Sequence, residues 1–459
     1  MTIAACLLCL WPLVATLAKA QDLTPAQFED GDVVCLIGDS ITHSRKYHSY
    51  VYDYYLTRFP ERRIRFVNRG IAGDSAGGAV WRFDWDIAPT RPNVACIMFG
   101  MNDVSRGLYG KENPDEANLA ARRAALDRHR ENQLALAQRL KAAFDPRFVF
   151  ITPSPYDDTA QIETENLFGV NAALATCGEY AAELAAQMGG GVVDFGGPMT
   201  ALNLEHQRQD PSFTIVGPDR VHPGDVGMLV MAYLFLRAQQ VPAVVSQLTL
   251  DGETGRVEAC ENAQVSEVAA GPEGLEFDYL QYALPFPVEP GAAGALELVP
   301  FMAELNRETL AVKLKRGGAY RLLIDGEEVG RYTSEELGAG VNLAANSRTP
   351  QHRQAQALHA VNERRRGLEV RLRSHAQIRM MLLRANVEEA DEVAVRAYFD
   401  DFLAKNPSNA GYFRSQFDNY LKTGPEREPI EAQIEELVQQ LWRQNRPVSH
   451  HYQIVQVDS

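Results

Sequence analysis

The sequence predicts an α/β fold in its first half, a parallel sheet covered by helices, followed by a small β-rich module and a helical C-terminal region. Three observations predict it. From Gly31 to about Gln240, five short apolar runs alternate with helix-like stretches. Most of those runs are apolar without period-two alternation, as strands covered on both faces are. After Val241-Pro242 the texture changes, first to alternating stretches and then to helix-rich sequence.

The elements follow in order. MTIAACLLCLWPLVATLAKA is apolar from Ile3 to Ala18 except for Thr16, and Ala18-Lys19-Ala20 fits a small-x-small cleavage pattern. Residues 1–20 therefore read as a signal peptide, which implies a secreted or periplasmic protein. No later segment offers about 18 uninterrupted apolar residues, so no stable membrane insertion is expected after cleavage. The strand runs are 33–37, 64–67, 94–99, 148–151 and 192–195, and the clearest helix is Asp115 to Ala143, without Gly or Pro. Strands separated by helices predict a parallel sheet. Residues 245–333 alternate as an antiparallel module would, with Asp325-Gly326 as a hairpin turn between Ala319–Ile324 and Glu327–Val329. Thr333-x-x-Glu336 is a capping-box pattern. From Arg353 to the end the chain reads as mostly helical, broken near Asn406-Pro407 and Gly424-Pro425, with Ile430, Ile434, Leu437 and Leu441 as one apolar stripe. The eight arginines between Arg353 and Arg384 read as a solvated helix face paired with acidic neighbours.

Composition excludes several classes. The 459 residues are 46% hydrophobic and 23% charged, which is neither a disordered chain nor a small disulfide scaffold. Forty-five basic and sixty acidic residues give a net charge of 45 − 60 = −15, so general binding to nucleic acid or an anionic membrane is not expected. Cys35 and Cys96 sit in apolar runs and read as buried hydrophobes; a Cys177–Cys260 bond is left open. Cleavage after residue 20 would remove Cys6 and Cys9; in the rest of the chain no CxxC or HExxH occurs, and neither a metal nor a cofactor is expected.

Four short motifs carry the chemistry. Gly38-Asp39-Ser40-Ile41-Thr42 follows the first strand run, Asn68-Arg69-Gly70-Ile71-Ala72-Gly73-Asp74-Ser75 the second, and Gly100-Met101-Asn102-Asp103 the third. Asp219-Arg220-Val221-His222-Pro223 precedes a late helix. Ligands of open α/β sheets bind beyond the carboxyl ends of the strands, so three of these motifs can converge. A serine hydroxyl needs a base to become a nucleophile. His222 is the candidate base for Ser40, and Asp219, three residues earlier, is the carboxylate that would hold its tautomer. Attack on an ester carbonyl leaves charge on oxygen, which needs preorganised donors. The backbone N–H groups of Ser40 and Gly73 and the side-chain amide of Asn102 are the candidate oxyanion donors. Each motif alone reads more simply as a turn or a helix cap; together, in this order, they fit one mechanism.

The combination Gly-Asp-Ser, the Gly of the second motif, Gly-x-Asn-Asp and Asp-x-x-His resembles the four signature blocks of the SGNH (GDSL-type) hydrolases. The residues that name the family fall on Ser40, Gly73, Asn102 and His222, and Asp219 matches its Asp; Ile41 stands where the older name has Leu. The resemblance covers about residues 32–240. It implies a flavodoxin-like three-layer α/β/α domain and metal-independent ester hydrolysis. Leu323-Ile324-Asp325-Gly326, Gly340-Val341-Asn342-Leu343-Ala344 and Thr349-Pro350 resemble a C-terminal extension of some bacterial secreted members. The expected organisation is a signal peptide (1–20), an SGNH catalytic domain (21–244), a β-rich accessory module (245–345) and a helical C-terminal region (346–459). The expected activity is a serine esterase deacetylating a carbohydrate, its partner a small-molecule or polysaccharide ester. Tyr47, Tyr50, Trp81 and Trp85 are candidates for stacking on sugars or for the core. A lipase or lysophospholipase, and a non-catalytic glycan-binding or scaffold protein, are the alternatives.

Overall fold

The computed structural model describes residues 23–44, 46–271 and 274–457. The signal peptide expected at 1–20 lies outside them. The first layer set contains β1 (Val33–Gly38), α1 (Ser40–Ser44), α2 (Tyr47–Arg58), β2 (Arg65–Gly70), α3 (Ala76–Trp81), β3 (Val94–Met98), α4 (Glu116–Phe144), β4 (Arg147–Ile151), α5 (Val170–Met188), β5 (Gly191–Val193), α6 (Gly196–His206) and α7 (Asp225–Ala238). The five strands form one parallel sheet in the order β2-β1-β3-β4-β5. This is the doubly wound order in which the chain reverses direction across the sheet beside β1.

The unbroken apolar runs have a direct physical reason. Successive strand side chains point to opposite faces, and here both faces are core. Val34, Leu36, Cys96 and Met98 join one cluster with α2 and α7. Cys35, Ile37, Ala95 and Ile97 join a second, with Leu136 and Leu140 of α4 and Leu184 of α5. Each Val, Leu, Ile or Met among them contributes about 1.5–3 kcal/mol of burial. The expected strands and the long helix stand within three residues of their places, and Cys35 and Cys96 are buried.

The chain continues through β6 (Val244–Asp251), β7 (Val257–Glu261), β8 (Ala263–Gly271), β9 (Gly274–Gln281), α8 (Ala295–Leu298), α9 (Phe301–Leu305), β10 (Arg307–Lys313), β11 (Ala319–Ile324), β12 (Glu327–Thr333), α10 (Ser334–Ala339) and β13 (Val341–Asn342). The β11–β12 hairpin turns at Asp325-Gly326, both at positive φ, and Thr333 and Glu336 form the capping box that opens α10. Two sheets result, β13-β10-β6-β7 and β12-β11-β14-β9-β8, in which β14 (His450–Gln456) comes from the end of the chain. The module is not wholly antiparallel: β6 and β10 pair in parallel, because the 25 residues between β9 and β10, counted from 282 to 306, leave it to pack Leu284, Phe286, Phe301 and Leu305 into the α/β core.

The last elements are α11 (Pro350–Arg384), α12 (Glu392–Lys405), α13 (Ala410–Gln444) and β14 (His450–Gln456). Three expectations are corrected here. The break near Gly424-Pro425 is absent: α13 runs through Pro425 and Pro429. A mid-helix proline costs about 3 kcal/mol, and packing of the helix through Ile430, Leu437 and Leu441 offsets it. The region is not helical to its end, since β14 enters the second β sheet between β11 and β9 with Tyr452 and Ile454 facing its core. The arginine run is a solvated, acid-paired face only in part: Arg353, Arg364 and Arg384 are exposed and Arg371 and Arg379 pair with Glu426 and Glu389, but two members turn inward. Arg365 and Arg373 are buried: Arg373 forms two hydrogen bonds to Asp86, beyond α3, and Arg365 lies over the ring of Tyr52. The helix is amphipathic toward a polar seam on the α/β layer as well as toward its core. Cys177 and Cys260 are both free thiols, one buried and one exposed.

Candidate active site

Ser40, Gly73 and Asn102 follow β1, β2 and β3, three adjacent strands of the sheet. Sheet order alone therefore gathers them at one edge. Ser40 is the first residue of α1, in the turn that leaves β1. That turn is tight: a Cβ on Gly70, at the end of β2, would stand 2.4 Å from the His43 nitrogen, so only glycine lets α1 lie against the strand. Beneath Ser40, Asp39 is buried and accepts the Ile41 N–H at 3.0 Å; burial raises its carboxyl to about 7.

His222 arrives from the loop before α7. Its Nε2 lies 2.7 Å from the Ser40 Oγ and its Nδ1 2.5 Å from Asp219 Oδ2. Ser40 and His222 are half-buried. Asp219 also accepts the backbone N–H groups of His222 and Val221, at 2.9 and 3.1 Å. Partial burial works against its charge, but these hydrogen bonds, that from the His222 ring foremost, hold its carboxyl at about 2. It is a carboxylate throughout the neutral range.

The loop that carries both residues is fixed by Arg220, which the sequence analysis left without a role. Arg220 is buried at positive φ. Its guanidinium donates to the carbonyls of Asp157, Ala160, Ile162 and Thr164 at 2.8–3.2 Å. A planar five-donor group is the one side chain that can gather so many carbonyls.

On the other side, Ile71 to Asp74 form a turn closed by the Asp74 N–H on the Ile71 carbonyl at 3.1 Å and tied to β1 by the Ile71 N–H on Gly38 O. Gly73 stands in it at φ +78° with open space around its Cα. Asn102 Nδ2 donates to the Asp74 carbonyl at 2.8 Å, which links the β3 motif to this turn; the amide has a second N–H to offer. Ser40, His222 and Asp219 thus form one hydrogen-bonded row, and Gly73 and Asn102 meet at the turn that follows the neighbouring strand. Tyr47 and Tyr50 are buried core residues, whereas Trp81 is exposed beneath the Arg384 guanidinium. Among the described residues there is no cluster of His, Cys, Asp and Glu able to hold a metal ion, and no helix is long and apolar enough to cross a membrane.

Fold and site together define an α/β ester-hydrolase class, and comparison with known proteins agrees. Residues 36–230 match the GDSL-like Lipase/Acylhydrolase family. The solved structure of a gut microbial diltiazem-metabolizing enzyme is 33% identical, covers 95% of this chain and 99% of its own, and superposes with a TM-score of 0.87. An acetylxylan esterase from Geobacillus stearothermophilus is 25% identical over 222 residues, 45% of this chain and 93% of that enzyme. The chain belongs to the GDSL-like (SGNH) hydrolase family. It is a carboxylic ester hydrolase.

Proposed function

We propose that the protein is a secreted or periplasmic serine esterase that removes acetyl groups from a carbohydrate, with Ser40 as nucleophile, His222 as base and Asp219 as its orienting carboxylate. The observation that carries this reading is the row Ser40 Oγ–His222 Nε2 at 2.7 Å with Asp219 on the other ring nitrogen. With Nδ1–H donated to Asp219, Nε2 is the free lone pair that takes the serine proton. The Oγ–carbonyl carbon bond forms, and the carbonyl oxygen becomes an oxyanion facing the N–H groups of Ser40 and Gly73 and the amide of Asn102. Collapse expels the alcohol, which takes its proton from His222. Water, deprotonated by the same ring, then attacks the acyl-serine and releases the carboxylic acid.

The carbohydrate part of the reading rests on the acetylxylan esterase named among the relatives and on the leader-like residues 1–20. An acyl-donor panel tests it: aryl acetate, acetylxylan, diltiazem and esters of increasing acyl length, with Ser40→Ala as control. Acetyl esters turned over best, and silent in Ser40→Ala, support the reading. A rate that climbs with acyl length would replace it with a lipase.

A further inference from the structure

We infer that the C-terminal helix α11 is part of the oxyanion apparatus, with Gln377 as the positioning residue that fixes the direction of the Gly73 N–H; this rests on the serine-esterase reading above. The Ile71–Asp74 turn has Gly73 at its third position with positive φ, and Ala72 is not at positive φ. That is a type II turn. Its central peptide, Ala72–Gly73, holds the Ala72 carbonyl and the Gly73 N–H in one rigid plane, pointing in opposite directions. Rotating that peptide by half a turn gives a type I turn, which needs no positive φ and points the same N–H away from the substrate. Nothing local forbids the rotation, because Gly73 is exposed and no atom crowds it.

The orientation is held from a distance. Gln377, buried on α11, donates its Nε2–H to the Ala72 carbonyl at 3.0 Å. Its own Oε1 accepts the Tyr412 hydroxyl of α13 at 3.4 Å, which leaves the amide nitrogen facing Ala72. The Ala72 N–H is held as well, by His43 Nδ1 at 2.9 Å. To accept, His43 must be neutral, and burial followed by the Arg373 charge presses its pKa down to about 3. Ser374 Oγ lies 3.4 Å from the other ring nitrogen, and Arg373 donates to the Gly70 carbonyl at 3.0 Å. Three residues within five positions of α11, Arg373, Ser374 and Gln377, thus bear on the turn, 303 to 331 positions away in sequence. A hydrogen bond on the Ala72 carbonyl also polarises the shared peptide and strengthens its N–H as a donor.

The test uses the full chain with Gln377→Met, which keeps the volume and loses the donor, and Gln377→Glu, which sets an oxygen against the Ala72 carbonyl. Arg371→Ala, on the same helix but bonded to Glu426 at the surface, controls for general loosening. Each is assayed on a short aryl acetate and against a small boronic acid, which adds to a serine oxygen as a tetrahedral anion. The expected result is a kcat lowered by roughly tenfold to a hundredfold, the scale of an ångström-level misplacement of a reacting partner, with KM within about twofold and boronate inhibition weakened by a similar factor. A merely structural Gln377 would lower Tm and leave kcat and the boronate constant of the folded enzyme unchanged, and that result overturns the inference. Ser40→Ala is run beside them. If it is silent while both Gln377 variants match wild type, the inference alone fails; if it turns over at the wild-type rate, the serine reading beneath it fails.

Discussion

Two loops flank Ser40, and they are held in opposite ways. The Asp219–His222 loop is secured by its own neighbourhood: Arg220 binds carbonyls between Asp157 and Thr164, and Asp219 accepts the amides of Val221 and His222. The Ile71–Asp74 turn is secured partly by α11, three hundred residues further on. The first arrangement is complete within the α/β layer. The second makes the oxyanion side depend on a helix outside the segment that matches the family, so the C-terminal region is more than an appended module.

Removing the group that both loops serve should give the largest effect. Ser40→Ala is expected to lower kcat by about 10⁴-fold or more, with a thermal transition near that of wild type, since Ser40 sits on a turn at the surface of the core. Asn102→Ala touches the oxyanion side alone; steady-state kinetics should show kcat down by about 10²–10³-fold with little change in KM. Equal losses in the two variants would erase the distinction between nucleophile and oxyanion donor.

Arg220→Ala tests the local clamp. It leaves several buried carbonyls without donors, at about 1–3 kcal/mol for each that stays unsatisfied. Thermal unfolding should therefore show a marked fall in Tm, and the folded fraction should lose about tenfold in kcat as His222 loosens. A variant that unfolds early but turns over normally would mean that Arg220 supports the fold and not the His222 geometry.

The smallest effect lies away from both loops. In the β module, Glu308 is buried and accepts hydrogen bonds from Gln281 and Gln351 at 3.0 and 2.7 Å; burial raises its carboxyl to about 7. A carboxyl that holds its proton more tightly folded than unfolded stabilises fully below its ordinary range, and this stabilisation is lost as pH rises through about 7. Tm should fall between about pH 4.5 and pH 7, the span between those limits, and Glu308→Gln should flatten that fall without altering kcat. Asp39 and His359, raised to about 7 and about 9, act in the same direction in both proteins, so the difference between wild type and variant isolates Glu308.

The same contrast explains what the sequence made legible. The two-faced strands, the Asp325-Gly326 hairpin, the capping box at Thr333 and the row Ser40–His222–Asp219 all follow from short-range pattern or motif. Arg220 stood inside a recognised motif, and burial alone revealed its role. His43, Arg373 and Gln377 carry no local signal: an arginine-rich helix reads as solvated until Asp86 and the Gly70 carbonyl are found facing it. The persistence of α13 through Pro425 and the closing strand β14 were hidden for a related reason. Tertiary packing outweighed proline in the first case, and a strand of seven residues followed a long helix in the second; the alternation of Tyr452 and Ile454 was the signal that could have disclosed β14.

The most direct test of the account is to treat the protein with a fluorophosphonate, which phosphonylates an activated serine oxygen with loss of fluoride, and to map the adduct by peptide mass spectrometry. The account predicts one adduct, on Ser40, formed in step with loss of aryl-acetate turnover and absent from His222→Ala. Full turnover after complete labelling of Ser40, or inactivation with the adduct on another residue, would contradict it.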